Sequence, residues 1–139
     1  MASKTSEILM EEHKNILRVV EALNQECKGL EEGKMIDREF FNGVIKFIRT
    51  YADKFHHAKE EDILFKEFTK AAEDGCVHCN PVEQMLFEHE EGRKFVKGME
   101  GGVNEGDKKK LIENAKGYVQ LLKEHIFKED NILYPMADE

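Results

Sequence analysis

Four histidines of this chain occur at a spacing suited to metal chemistry, one on the apolar stripe of each of four successive predicted helices. They are His13, His56, His89 and His125. Two of the four are followed by a carboxylate one helical turn later, as His56 is by Glu60 and His125 is by Glu129. Side chains at positions i and i+4 share a helix face, and imidazole with carboxylate is a donor set for iron, manganese or zinc. The spacing therefore predicts a metal site between helices.

Turn-forming residues divide the sequence into four helical stretches that must position these side chains. The first is predicted from about Thr5 to Lys28, with Thr5 or the next residue as its N-cap. It ends where the apolar spacing breaks, at Gly29–Gly33. Asp37 can cap the second helix, and Gly75 closes it.

The third helix is predicted to begin at Pro81, with Asn80 as its N-cap, and to give way to a loop at Gly98–Gly106. A fourth helix, from about Asp107 to Pro135, has apolar residues in unbroken steps of three and four. Short connections between long amphipathic helices favour antiparallel neighbours, so the sequence predicts an all-α, up-down-up-down antiparallel four-helix bundle. In such a bundle all four histidines fall at about the same level.

An internal repeat favours one register of the second helix. The segment that starts at His56 can be aligned with the segment that starts at His125, and their glutamates then coincide. Spacing alone would also allow His57 with Glu61, but only His56 with Glu60 continues the apolar stripe. We therefore assign His56 and Glu60 to the site. For His57 and Glu61 a solvated helix face is at least as good an explanation.

In the fourth helix, Glu129 is preferred to Asp130 as the site carboxylate. Glu129 lies on the face of His125, whereas Asp130 points about 100° away. A glutamate on a core stripe without a metal or cationic partner would meet a desolvation cost of several kcal/mol. The convergence of histidine and glutamate therefore favours a metal centre over a metal-free helical adaptor.

Length and charge limit the remaining possibilities. At 139 residues the chain fits a single domain, residues 1–139. A formal net charge of −8 argues against nucleic acid and against an anionic membrane as partners. The N-terminus lacks an apolar run of signal-peptide type, and three cysteines, an odd number, fit reduced thiols. The expected compartment is the cytoplasm.

A CxxC sequence, Cys76-Val77-His78-Cys79, lies in the predicted loop between the second and third helices. It offers three ligands at most, whereas a structural zinc site needs about four. It also lacks the strand that precedes a thioredoxin-type motif. We interpret the pair as ordinary loop cysteines, with a redox role at the metal end of the bundle as the alternative.

Four motifs of the chain, in order, resemble those of the hemerythrin-like family with its HHE cation-binding domain. The motifs are EEH, HHAKEEDILF, EHEEGR and HIFKEDNILYP, and the resemblance covers essentially the whole chain. It implies a four-helix bundle around two iron ions joined by an oxo or hydroxo bridge. The implied metal ligands are His13 and His56 on one iron, His89 and His125 on the other, and Glu60 and Glu129 as bridging carboxylates.

One position departs from the pattern of the oxygen-carrying hemerythrins. Those proteins have a second histidine one turn after the one that corresponds to His89, where this chain has Arg93. The change would leave the two irons with equivalent ligands and room for an exogenous ligand, unless His57 replaces the missing histidine. Arg93 cannot coordinate a cation, and we expect it to donate hydrogen bonds to a bound peroxide or to a bridging carboxylate.

The leading functional hypothesis is a non-haem di-iron protein that binds or reduces oxygen, nitric oxide or hydrogen peroxide, with a redox partner if it turns over. The alternative is a non-catalytic iron store or a sensor of iron or oxygen. No Ser-His-Asp set, Gly-rich phosphate loop or Cys-His nucleophile pair occurs, so hydrolase or transferase activity has no support. The sequence does not decide whether the protein is an enzyme, a carrier or a sensor, and it does not give the oligomeric state.

Overall fold

The computed structural model describes residues 4–58 and 82–133, and its elements are all helical. The first helix, α1, spans Lys4–Glu31. It runs about one turn past the predicted end at Lys28, and Thr5 lies inside the helix rather than at its N-cap. Differences of this size are common at helix ends, which are the least certain part of a pattern-based prediction.

The other helices follow in the predicted order. Helix α2 spans Arg38–Phe47 and continues directly as a π-helical segment, Ile48–His57. Helix α3 spans Val82–Glu105, and α4 spans Lys108–Lys128 before a second π-helical segment, Glu129–Leu133. The predicted boundaries at Gly75, Asn80, Pro81 and Pro135 lie outside the described residues.

The two short connections are closed by caps that the sequence encodes. The side chains of Asp37 and Asp107 each accept a hydrogen bond from the backbone N–H three residues later, at 3.0 and 3.1 Å. The predicted N-cap at Asp37 is therefore confirmed, and Asp107, predicted only as the approximate start of the fourth helix, caps that helix in the same way. Helices α1 and α3 end at glycines with positive φ, 106° at Gly33 and 69° at Gly106. Glycine adopts this conformation without the steric cost that a side chain would add.

Contacts between neighbouring helices show that each helix runs antiparallel to the next. Residue numbers on one helix rise as those of their partners on the other fall, and this holds around the whole bundle. The pairs are Glu31–Lys116, Glu21–Lys123 and His13–Asp130 between α1 and α4; Glu12–His56 and Asn15–Tyr51 between α1 and α2; Arg49–Glu100 and Asp53–Arg93 between α2 and α3; and Glu88–His125 and Gly102–Leu111 between α3 and α4. The expected up-down-up-down bundle is confirmed.

The prediction of a loop at Gly98–Gly106 is wrong, because α3 continues as a helix to Glu105. Gly102 approaches α4 so closely that a Cβ at this position would lie 2.8 Å from the backbone nitrogen of Leu111. Glycine allows two helix backbones to pack where a side chain would separate them. That packing outweighs the roughly 1 kcal/mol that a glycine costs in a helix.

The buried polar side chains of the described residues all lie at one end of the bundle, and the middle of the bundle is an apolar core. Leu23, Phe41 and Leu111 are among the fully buried core residues. The buried polar set consists of Glu12, His13, His56, His57, Glu88, His89, His125 and Glu129. The end of the bundle that holds this set is the candidate functional site.

Candidate metal centre

The π-helical segment that ends at His57 turns two consecutive histidines toward the bundle interior. A π-helix forms its hydrogen bonds from i to i+5, so it has more residues per turn than an α-helix and each residue rotates less about the axis. His56 is 0% exposed and His57 is 7% exposed. The solvated face that the sequence allowed for His57 is therefore excluded, and Glu61 lies outside the described residues.

Three buried side chains form what we call the first cluster: His13, His56 and Glu129. One donor atom from each lies within 4.8 Å of the others. His13 Nε2 lies 3.0 Å from Glu129 Oε1, and the His13 and His56 rings are 4.5 Å apart at their centroids. Helix α1 and the π-helical segments that follow α2 and α4 thus each supply one donor to the same point.

The second cluster consists of His57, His89 and His125, again with one donor atom from each within 4.8 Å of the others. The Nε2 atoms of His89 and His125 are 3.0 Å apart. The His57 ring stacks on that of His89, with centroids 3.8 Å apart and planes inclined by 13°. The donors of this cluster come from α3, α4 and the π-helical segment that follows α2.

Glu129 belongs to the first cluster and also approaches the second. Its Oε1 is the atom near His13, whereas its Oε2 lies 3.1 Å from His125 Nε2 and 4.0 Å from His89 Nε2. The Glu129 side chain is 0% exposed. A single carboxylate whose two oxygens face different donor groups has the arrangement that a bridging ligand requires.

Carboxylates outside the two clusters orient three of the histidines. Glu12 accepts a hydrogen bond from His56 Nδ1 at 2.9 Å, and Asp130 accepts one from His13 Nδ1 at 2.8 Å. Glu88 accepts a hydrogen bond from His125 Nδ1 at 2.9 Å. An ionised carboxylate only accepts hydrogen bonds, so the Nδ1 atom of each of these three histidines must carry the proton. The Nε2 atom of each is then left as a lone-pair donor for a metal.

The environment of Glu88 keeps this carboxylate ionised. Burial alone would raise the pKa of Glu88, but hydrogen bonds from His125, Gln84 and Lys128 outweigh burial and lower the pKa to about 2. The Lys128 ammonium lies 2.9 Å from Glu88 Oε2. At neutral pH, Glu88 is therefore an anion that can hold the proton of His125 on Nδ1.

Arg93 contacts the second cluster through another residue. Its guanidinium donates to both carboxylate oxygens of Asp53, at 2.8 to 3.1 Å, and to Glu90 at 3.1 Å. Asp53 Oδ1 in turn lies 4.0 Å from His57 Nδ1. Glu60, one of the two predicted bridging carboxylates, lies outside the described residues, so the contact of Arg93 with a bridging carboxylate stays a prediction. The described bonds of Arg93 fix the carboxylate that faces His57.

The structure brings together five of the six predicted metal ligands. These are His13, His56, His89, His125 and Glu129. The sixth, Glu60, lies outside the described residues, as do Cys76, His78 and Cys79. His57 was only an alternative ligand in the sequence-based prediction, and the orienting carboxylates were not predicted. A signal for these was present, because Glu12, Glu88 and Asp130 each directly neighbour a predicted ligand in the sequence.

The geometry and chemistry of the donor atoms fit metal ions. Two ligands at right angles around an ion, each about 2.1 Å from it, are about 3 Å apart. The shortest separations between donor atoms in the clusters are 3.0 to 3.1 Å. Imidazole and carboxylate together suit iron, manganese or zinc, and a cation would offset the cost of removing Glu129 from water. Each cluster could therefore hold one cation.

A helical bundle with buried histidine and carboxylate clusters at one end belongs to the class of bundle-type metal-binding proteins. The family model of the hemerythrin HHE cation binding domain matches residues 4–137. The chain therefore belongs to this family, and the resemblance that four motifs indicated is confirmed. No curated protein and no solved structure matched the chain. Among the described helices, none has an apolar stretch sufficient to cross a membrane.

Proposed function

We propose that this protein holds two iron ions, one at each cluster, and that it binds or reduces oxygen, nitric oxide or hydrogen peroxide there. The position of Glu129, with one oxygen toward each cluster, is the observation that carries the proposal. His13 and His56 would hold one ion, and His89 and His125 the other. Glu60 is proposed as a second bridging carboxylate.

His57 makes the two proposed ion sites unequal. Among the described residues, the second cluster has three imidazoles, whereas the first has two imidazoles together with Glu129. Fewer protein ligands leave more room for an exogenous ligand, so we propose that the small ligand binds at the first cluster. This replaces the expectation of equivalent irons, which rested on Arg93 alone.

Iron at this position would supply one-electron redox chemistry and Lewis acidity. The protein supplies the positions of the donors and a water-poor environment. Glu12, Glu88 and Asp130 hold protons on the outer nitrogens of three histidines, so the inner nitrogens stay available to the metals. Burial of the clusters limits access to small molecules and slows loss of the ions.

Reduction of the small ligand consumes electrons, so we propose that a redox partner supplies them. We further propose that the protein works in the cytoplasm, where thiols are kept reduced. The odd number of cysteines supports this compartment. Cys27 is a buried free thiol, and burial raises its pKa to about 11, so it stays protonated at neutral pH.

Metal analysis of protein purified without added metal, together with its optical spectrum, tests the proposal. We expect about two irons per chain, as in other carboxylate-bridged helical bundles, and near-ultraviolet absorption from the bridged ions. Glu129→Gln should lose most of the metal, whereas Glu124→Gln, an exposed glutamate on the same helix, should keep it. Equal metal contents in the two variants, or a protein without iron, would contradict the assignment.

Turnover separates the proposed activity from the alternative of iron storage or sensing. The iron-loaded protein is supplied with a chemical reductant and with hydrogen peroxide or nitric oxide. Catalytic consumption supports reduction of the ligand. Saturable binding or metal-dependent unfolding without turnover would instead favour a store or a sensor.

A further inference from the structure

A cavity of about 350 Å³ adjoins the second cluster, between α2 with its π-helical segment, α3 and α4. On α3 its lining extends from Glu88 to Lys97, and on α4 from His125 back to Tyr118. Seven to nine residue steps of helix correspond to about 10 to 14 Å along the axis. The cavity is therefore a slot parallel to the bundle axis, with imidazoles at one end and Tyr118 at the other.

The walls of this slot combine an apolar surface with a cationic rim. Ile48, Val96 and Leu122 supply buried apolar surface. Four cationic side chains also line the slot, against the two carboxylates of Asp53 and Glu88. These cations are Arg49, Lys54, Arg93 and Lys97. Arg49 and Arg93 are paired with Glu100 and Asp53, so Lys54 and Lys97 are the rim cations that, within the described residues, have no salt bridge and can attract an anion.

Tyr118 provides a buried hydrogen-bond donor at the far end of the slot. It is 2% exposed and lines the slot. A phenol hydroxyl can donate one hydrogen bond. Burial, and to a smaller extent the Asp53 carboxylate, raise the pKa of Tyr118 well above its usual value. The phenol therefore stays protonated and can donate to an acceptor inside the slot.

Lys97 is the cation at the Tyr118 end that can meet a ligand. Arg49, at the same level, is engaged in a two-bond pair with Glu100. The pKa of Glu100 is lowered mainly by its hydrogen bonds with Arg49 and also by the charge of Lys97. Lys97 therefore lies near this carboxylate, but no salt bridge joins the two within the part of the chain that the structure describes. A phenol and an ammonium at the same end of an apolar slot together suit a carboxylate that carries an apolar chain.

We propose that the slot binds a monocarboxylate with an unbranched apolar chain, with its carboxylate at Tyr118 and Lys97 and its chain along the apolar wall toward His57. A diatomic ligand or peroxide would fill only a small part of about 350 Å³, a volume within the range of pockets for small organic ligands. This inference goes beyond the proposed redox function and does not depend on which metal the clusters hold.

Calorimetric titration of the purified protein with octanoate tests the inference. We expect one saturable site per chain, and at least about tenfold weaker binding of octanamide, which has the same chain without the charge. Tyr118→Phe and Lys97→Ala should each weaken octanoate binding by about tenfold. The matched control is Lys94→Ala, because Lys94 is 67% exposed on the same helix, does not line the slot and should leave binding unchanged.

Leu121→Trp adds a steric test, since the larger side chain should occupy the slot and abolish octanoate binding in protein that circular dichroism shows to be folded. If this variant does not fold, the exposed Lys97 site and the conservative Tyr118→Phe change still decide the matter. Absence of saturable binding would overturn the inference, as would equal affinity for octanamide. Unchanged binding in both Tyr118→Phe and Lys97→Ala would show that octanoate binds elsewhere, for example at the metals. Metal content measured on the same samples reports separately on the proposed iron sites.

Discussion

Replacement of Glu12 by glutamine tests how the bundle prepares its histidines for metal. Glu12 is buried, and its Oε1 accepts the proton of His56 Nδ1 at 2.9 Å. Glutamine keeps the size of the side chain and an acceptor oxygen but removes the charge. The variant should therefore fold as the parent does and bind metal more weakly, because a less basic His56 Nε2 is a poorer donor.

The size of the effect follows from the strength of the hydrogen bond. Bonds to charged groups contribute about 1.5 to 3 kcal/mol and neutral ones about 1 kcal/mol. The difference of about 0.5 to 2 kcal/mol corresponds to a loss of roughly two- to thirtyfold in affinity. The general experience that an orienting partner is worth about 10- to 100-fold in metal affinity overlaps the upper part of this range. We therefore expect the apparent dissociation constant of the metal to be about tenfold larger in Glu12→Gln than in the parent protein.

The assay is competition for the metal against a chromophoric chelator of known affinity, at fixed pH. The matched control is Glu11→Gln, because Glu11 is the preceding residue of the same helix and its side chain is 67% exposed. Both variants change the net charge equally, so a general electrostatic effect would appear in both. Equal affinities for Glu11→Gln and Glu12→Gln would refute the role of the bond between Glu12 and His56.

Three further predictions concern the clusters and the packing of the bundle. His57→Ala should lower the metal content measured by elemental analysis, as His56→Ala should, because both side chains are buried at the clusters; full retention of metal in His57→Ala would place this residue outside the centre. Metal removal should lower the melting temperature in a calorimetric scan, because imidazoles and carboxylates would then face one another in a poorly solvated interior; equal melting temperatures would indicate empty or solvent-exposed clusters. Gly102→Ala should destabilise the protein to denaturant by about 1 to 3 kcal/mol, because the new methyl group would overlap Leu111. Gly43→Ala, at a helical site with open space, should instead stabilise by about 0.4 to 1 kcal/mol, and the same sign for both glycine variants would contradict the packing assigned to α3 and α4.

Local pattern was sufficient to predict the fold class and most of the candidate site. Each helix carries one apolar stripe, and four such helices with short connections have few ways to bury those stripes other than an antiparallel bundle. The same stripe carries His13, His89 and His125, so their meeting at one level followed from helix length and direction. The caps at Asp37 and Asp107 were predictable because capping depends on the neighbouring backbone alone.

Two predictions failed where tertiary packing outweighs local preference. The glycine-rich composition of Gly98–Gly106 predicts a loop. Helix α4 packs so closely against Gly102, however, that this packing stabilises a helix that has no side chain at that position. The assignment of His57 assumed the 100° rotation of an α-helix, whereas Ile48–His57 is π-helical. Hydrogen-bond registers within a helix depend on what the helix packs against, so the sequence pattern does not reveal them.

The sequence by itself determined which residues can act as metal donors, because donor chemistry belongs to the side chain and helical spacing decides its face. Only the tertiary structure decided how those donors are held. His56, His125 and His13 receive their carboxylate partners from positions 44, 37 and 117 residues away along the chain. The slot that ends at Tyr118 likewise exists only between three helices. Such pairings arise when the burial of apolar stripes sets helices side by side, and no local spacing encodes them.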